Sequence, residues 1–150
     1  MRLQDNFNLT GQLFVDVFKE GKLDFSFKSP NTIVNSGKEL VCKLLVGNNT
    51  SNKIISKYGI GDSVVATTSN MIDLQGDTHF KGNILNYTFP AYNQVRINFT
   101  VGSAEGNGIY IKEFGLFSAD GTLFNRVVWD NTLLKTEYFE LSCYFIITNN

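Results

Sequence analysis

Val95-Arg96-Ile97-Asn98-Phe99-Thr100-Val101 and Phe139-Glu140-Leu141-Ser142-Cys143-Tyr144-Phe145-Ile146-Ile147 decide the fold. In the first, Val95, Ile97, Phe99 and Val101 alternate with polar residues. In the second, Leu141, Cys143, Phe145 and Ile147 alternate with Glu140, Ser142 and Tyr144. A period of two puts one apolar face on a core and leaves the other to water or a neighbour. Between them lie two further strand-like runs, Ile109 to Phe117 and Thr122 to Trp129, joined by Ala119-Asp120-Gly121. Asp-Gly favours a tight hairpin because Gly takes positive φ at little cost. The second half therefore reads as a four-strand meander.

Working towards the N-terminus, Leu13, Val15 and Val17 face one way, and Leu23, Phe25 and Phe27 answer them across Lys19-Glu20-Gly21-Lys22. This predicts a hairpin over 11–28. Residues 1–9 read as a loose polar arm. Ser36 with Glu39 has the spacing of a capping box, and Leu40, Val41, Leu44 and Leu45 recur at helical intervals before Gly47. One helix is predicted over 36–46. A strand follows over Ile54 to Ile60, then a long polar stretch to Phe80 with a possible short helix at Met71 to Leu74. A further strand over Ile84 to Phe89 stops at Pro90. Long loops in compact domains tend to be functional or contact surfaces. The fold expected is mainly β: one domain, an antiparallel sandwich or open barrel of about seven to eight strands with one packed helix.

Composition narrows the function classes. The 150 residues carry 13 Lys and Arg against 14 Asp and Glu, a net charge of −1, with no basic run. Nucleic-acid binding is not expected, since phosphate contacts need a concentrated basic face. Charged residues make up 18%, below the roughly 25% of ordinary domains. Asn, Ser and Thr take their place, which suits packing against protein but also describes a plain polar domain. The 13 Phe should mostly be core, with a minority at subunit contacts. Cys42 and Cys143 lie in apolar patterns and read as buried free thiols. No signal peptide or membrane-spanning run is apparent, so the expectation is a chain made in a cytoplasm, with no membrane insertion.

Chemistry-bearing clusters are missing from the pattern. His79 is the only histidine and has no second His or Cys nearby, so neither a metal site nor a triad is supported. No cofactor loop is present: Gly59-Ile60-Gly61 lacks the third glycine and the following helix of a dinucleotide or phosphate motif, and reads as a tight turn where backbones pass closely. Glu113 falls on the apparent face of Ile109 and Ile111 together with Gly115 and Phe117. A carboxylate there is costly unless hydrogen-bonded or paired. It could accept bonds from a neighbouring loop, pair with Arg126 or Lys135, sit at a wet edge, or serve as an enzymatic acid. No second carboxylate accompanies it to support the last. Trp129 could be a sugar platform, or could close the core or an interface.

Taken in order, several blocks resemble a family. They are Pro30-Asn31-Thr32-Ile33-Val34-Asn35-Ser36-Gly37, Gly59-Ile60-Gly61-Asp62 with Thr67 and Thr68, Ile111-Lys112-Glu113-Phe114-Gly115-Leu116-Phe117, Asp120-Gly121-Thr122-Leu123-Phe124-Asn125-Arg126, and Lys135. Together they resemble small β-rich virion proteins of tailed bacteriophages, of tail-fibre, tail-appendage or baseplate type. The resemblance implies a non-enzymatic structural protein that assembles with itself and with other virion proteins, and so ends in the virion. Contact with a host surface glycan is a further implication. The physical roles of the motif residues fit it: Gly115 lets a neighbour pack on the strand without a Cβ in the way, Asp120 and Gly121 set a tight hairpin, and Glu113 would be a buried anchor.

Overall fold

The computed structural model describes residues 8–48 and 50–150. Two five-stranded antiparallel sheets face each other as a sandwich. In chain order the elements are β1 (Leu9–Lys19), β2 (Lys22–Pro30), β3 (Thr32–Ile33), α1 (Asn35–Leu45), α2 (Thr50–Lys53), β4 (Ile55–Gly61), β5 (His79–Asn83), β6 (Asn86–Thr88), β7 (Gln94–Val101), β8 (Tyr110–Ser118), β9 (Leu123–Leu134) and β10 (Phe139–Asn149). Sheet A runs β2-β1-β10-β7-β6 and sheet B runs β3-β9-β8-β4-β5. The mainly β sandwich expected from the alternation is present; β3 and β5 are short strands that periodicity does not register.

The β1–β2 hairpin turns through Glu20 and Gly21 at φ 50° and 79°, the paired positive values that match the twist of a two-residue loop. It extends beyond 11–28 at both ends. Residues 1–7 of the expected arm lie outside the described residues, and Leu9 already pairs with Asn149. β10 lies between β1 and β7, in register with both along most of its length. Leu13, Val15, Val17, Ile97, Phe99, Val101, Leu141, Cys143, Phe145 and Ile147 supply sheet A's half of the core. Sheet B supplies Tyr58, Ile60, Ile111, Phe114, Leu116, Phe124, Val127 and Trp129.

The second half is not one meander. β8 and β9 form a hairpin in sheet B, whereas β7 and β10 pair with each other in sheet A. Alternation assigns an inward face to each strand but does not say which sheet the strand joins. Residues 84–89 also differ from expectation. Only Asn86–Thr88 pair as a strand, and the preceding His79–Asn83 belongs to the opposite sheet.

Helix α1 packs on β9 by Leu40, with Val41 and Leu44 half-buried. Cys42 is exposed, contrary to expectation, because it lies about 100° or more around the helix from each of those residues. The capping box is also not formed: Val34 is the N-cap, and Ser36 Oγ donates to the Leu123 carbonyl at 2.6 Å instead. Glu39 pairs with Lys43 one turn on, at 2.9 Å. Met71 to Leu74 forms no helix.

Candidate functional site

The outer face of sheet B carries the long 62–78 loop, and the chemistry of this face begins at a β-bulge. Ile111 pairs with Leu133, but Glu113 pairs with Val128, so residues 129–132 are accommodated opposite Lys112. Lys112 Nζ holds that excursion by donating to the Asn131 carbonyl at 2.9 Å and to Thr132 Oγ1 at 2.7 Å. A bulge shifts the phase of a strand. Ile109 and Ile111 therefore point into the sandwich, while Glu113, Gly115 and Phe117 point out of it, away from the face the alternation suggested. Both faces of β8 are buried, so every residue from Glu113 to Ser118 is buried whichever way it points.

Glu113 and Arg126 meet on this outward face, both with no exposed side chain, at 2.8 Å between Oε2 and Nη2. The partner is thus Arg126 and not Lys135. The other carboxylate oxygen, Oε1, accepts from the backbone N–H of Gln75 at 2.8 Å and of Gly76 at 3.2 Å. Arg126 Nη1 donates to the Val65 carbonyl at 2.6 Å and to Thr67 Oγ1 at 2.9 Å. One ion pair therefore grips the loop twice, at 65–67 through its cation and at 75–76 through its anion. Charge-assisted bonds of this kind are the strong ones, and they offset part of the cost of burying both charges.

Glycines make room for this arrangement. Gly59 and Gly61 lie within β4 and form no turn, but the close backbone approach expected of them is there. A Cβ on Gly61 would stand 2.7 Å from Glu113 Oε1, and one on Gly59 would stand 2.7 Å from the Phe117 ring and 2.9 Å from Leu74 Cδ1. Gly115, opposite Gly59 in register, would meet Leu74 at 3.3 Å and the Asn125 carbonyl at 2.8 Å. Leu74 thus sits on a floor of glycines and forms a second small core with Val34, Phe117 and Leu123. Asp62 accepts from the Thr78 N–H at 3.3 Å where the loop returns.

Asp120 and Gly121 form the β8–β9 turn, with Gly121 at φ 87°. Asp120 accepts from Ser118 Oγ, from Thr122 Oγ1 at 2.8 Å, and from Lys53 Nζ at 2.5 Å. The Lys53 ammonium, then the Ser118 and Thr122 hydroxyls, hold its carboxyl well below the usual carboxylate range. The turn so clamps α2, whose Asn52 carbonyl accepts from the Asp120 N–H at 3.0 Å.

Trp129 and Lys135 lie apart from that group. Trp129 is fully buried against Phe25, Phe27 and Phe114, so it presents no face to a sugar. Lys135 is buried just beyond the end of β9. Its Nζ donates to the Thr136 carbonyl and to Asn107 Oδ1, each at 2.9 Å, closing the 102–108 loop. Burial lowers its pKa, partly countered by Glu105 and Glu140. Glu105 also accepts from Tyr58 Oη at 3.0 Å, and burial followed by that carboxylate raises the Tyr58 phenol far above its ordinary value.

Sequence reasoning missed Thr67, Leu74, Gln75 and Gly76 as partners, because an aperiodic loop carries no register. The glycine pair in β4 was the available signal. Among the described residues, no group of three or more His, Cys, Asp or Glu is placed to hold a metal. No described helix is long and apolar enough to cross a membrane. These features define a β-sandwich with a long loop fastened to one face by a buried ion pair. Comparison of the chain with protein-family models, curated proteins and solved structures gives no match.

Proposed function

We propose that this chain is a non-catalytic structural component of a tailed-phage virion, part of the tail or its fibre attachment, acting as an oligomer. The observation that supports this reading is spatial. Sequence blocks that resemble phage tail proteins, though far apart in the chain, come together on one face. Val34 N–H donates to the Phe124 carbonyl at 3.2 Å, Ser36 reaches Leu123, Gly59 and Gly61 lie opposite Gly115 and Glu113, and Arg126 reaches Thr67. Motif residues that build one loop-on-sheet unit are specifying a shape. The potential acid among them, Glu113, has both oxygens engaged and no exposed surface, an arrangement suited to anchoring.

The test is mass spectrometry of purified particles made from the genome that encodes the chain, with immunogold labelling to locate it. The expected result is a fixed copy number on the tail. Presence in the infected lysate and absence from particles would overturn the proposal.

A carbohydrate- or receptor-binding module is the second reading. It is favoured by Tyr87, Phe89 and Tyr92, aromatic rings exposed within one short segment. On the outer face of sheet A, by contrast, Tyr144 is stacked on Phe14 at 4.6 Å from the β1 side and covered by Arg96 at 3.7 Å from the β7 side.

A further inference from the structure

We infer that the free edge of sheet A at β6 is a self-association surface, and that its occupant is β6 of a second copy of this chain. The inference rests on the proposed assembling role for its biological sense; its physical grounds are in the strand itself.

Among the described residues, the sandwich has four sheet edges. β2 carries Lys22, Asp24 and Lys28, β5 carries His79 and Lys81, and β3 is two residues long. Charge and shortness are the usual protections against edge-to-edge pairing. β6 is short too, but the whole stretch 82–95 around it contains no Asp, Glu, Lys or Arg. In place of charge it has Leu85, Tyr87 and Phe89 on alternate positions, 68%, 61% and 72% exposed, with Tyr92 fully exposed beyond them. Tyr87 pairs with Ile97, a core residue, so Tyr87 shares the inward face of sheet A. Its exposure means that sheet B does not reach under β6. Tyr87 and Phe89 meet edge to face at 5.7 Å and form one continuous apolar ridge.

Self-complementarity selects a second copy as the occupant. An antiparallel pair centred on Tyr87 sets Leu85 against Phe89, Asn86 against Thr88, and Tyr87 against itself. Apolar residues then meet on one face and polar residues on the other, with no charge to repel or to be stranded. Such a pair has the two-fold symmetry of the commonest oligomers. The area is also adequate. At these exposures, and with aromatic side chains of about 150–250 Å², the four apolar residues offer on the order of 600 Å² per copy. A standard interface takes roughly 800 Å² from each partner. Asn86, Thr88, Pro90 and Ala91, all exposed beside the ridge, can supply the remainder. Pro90 has no N–H and ends the ladder there.

Sedimentation velocity over a wide concentration range tests the inference. The parent chain is expected to show a reversible monomer–dimer equilibrium. Tyr87→Glu/Phe89→Glu, at exposed positions, should keep the parental circular dichroism and melting and raise the dissociation constant by at least about thirtyfold. Leu23→Glu, on the opposite edge, should dimerise like the parent. A second measurement reads the register. In a Cys42→Ser background, Tyr87→Cys should crosslink to itself on mild oxidation, since the pairing brings the two Cα atoms within disulfide range.

A parent chain that stays monomeric at the highest concentration overturns the inference. So does a double variant that dimerises as the parent does; that result moves the interface elsewhere while leaving the virion reading intact. A monomeric chain that binds glycans on an array through Tyr87 and Phe89 also overturns it, in favour of the sugar-binding reading. Absence of the chain from particles would strike at the virion reading alone.

Discussion

Glu113 is worth more to the fold than its single charge suggests, because among the described residues it and Arg126 are each other's only salt-bridge partner, in a dry place. Replacing one member of a buried pair strands the other at a cost of about 3–5 kcal/mol, whereas replacing both by apolar residues can be close to neutral. Urea unfolding should therefore show Glu113→Leu and Arg126→Met each strongly destabilised. The double variant should lose much less than their sum, its remaining deficit reflecting the unpaired N–H groups of Gln75 and Gly76 and the Val65 carbonyl and Thr67 hydroxyl that lose their Arg126 donor. A Glu113→Leu protein with the parental midpoint would show that the pair contributes nothing. Asp120 gives a pH-dependent counterpart. Its carboxyl is held lower in the folded chain than in the unfolded one. Its contribution is thus complete above the unfolded value of about 4 and is lost as pH falls below that, towards the folded value. Asp120→Asn should flatten the acid limb of the stability profile between roughly pH 4 and pH 2, leaving the neutral-to-alkaline limb parallel to that of the parent.

At the scale of elements, what could be read from sequence depended on how many faces each strand buries. β7 and β10 bury one face and alternate cleanly, so their inward residues were identifiable one by one. β8 buries both faces and contains a bulge, so Glu113 was recognised as a costly charge but assigned to the wrong side. The Lys19–Lys22 and Asp120-Gly121 turns carry their own chemistry and were legible. The 62–78 loop has neither period nor turn pattern, and its position follows from tertiary contacts alone. The pairing of Glu113 with Arg126 could be named as one of several possibilities because few opposite charges lay on nearby strands. The glycine floor yields a test at this scale. Gly61→Ala sets a methyl against a carboxylate that is fixed by three hydrogen bonds and cannot easily retreat. Overpacking of this kind costs about 1–3 kcal/mol. The strain should appear as a tenfold or greater rise in proteolysis within 62–78, with both sheets intact. Unchanged cleavage there would mean that the loop is not held by the ion pair.

For the whole molecule, the decisive pairing joins the two ends of the described chain. β1 and β10 run antiparallel along their full length, from Leu9 with Asn149 to Lys19 with Phe139. β10 is also the middle strand of sheet A. A chain cut at residue 138 loses that centre and leaves β1 and β7 with open edges facing a gap. It should show no cooperative unfolding transition by heat or urea, and a cut chain that melts sharply would show that sheet A closes without β10. The same pairing fixes how the molecule bears load. Residues 9 and 149 are neighbours at one end of the same ladder, and the Asn150 N–H donates to the Asn8 carbonyl at 2.9 Å. Tension applied through those two points peels the strands apart one hydrogen bond at a time, like a zipper, instead of shearing many bonds together. A sandwich wired in this way is mechanically soft when pulled by its ends. A load directed along β1 and β10 in opposite senses would instead shear their eleven residue pairs together, the direction in which this ladder is strongest.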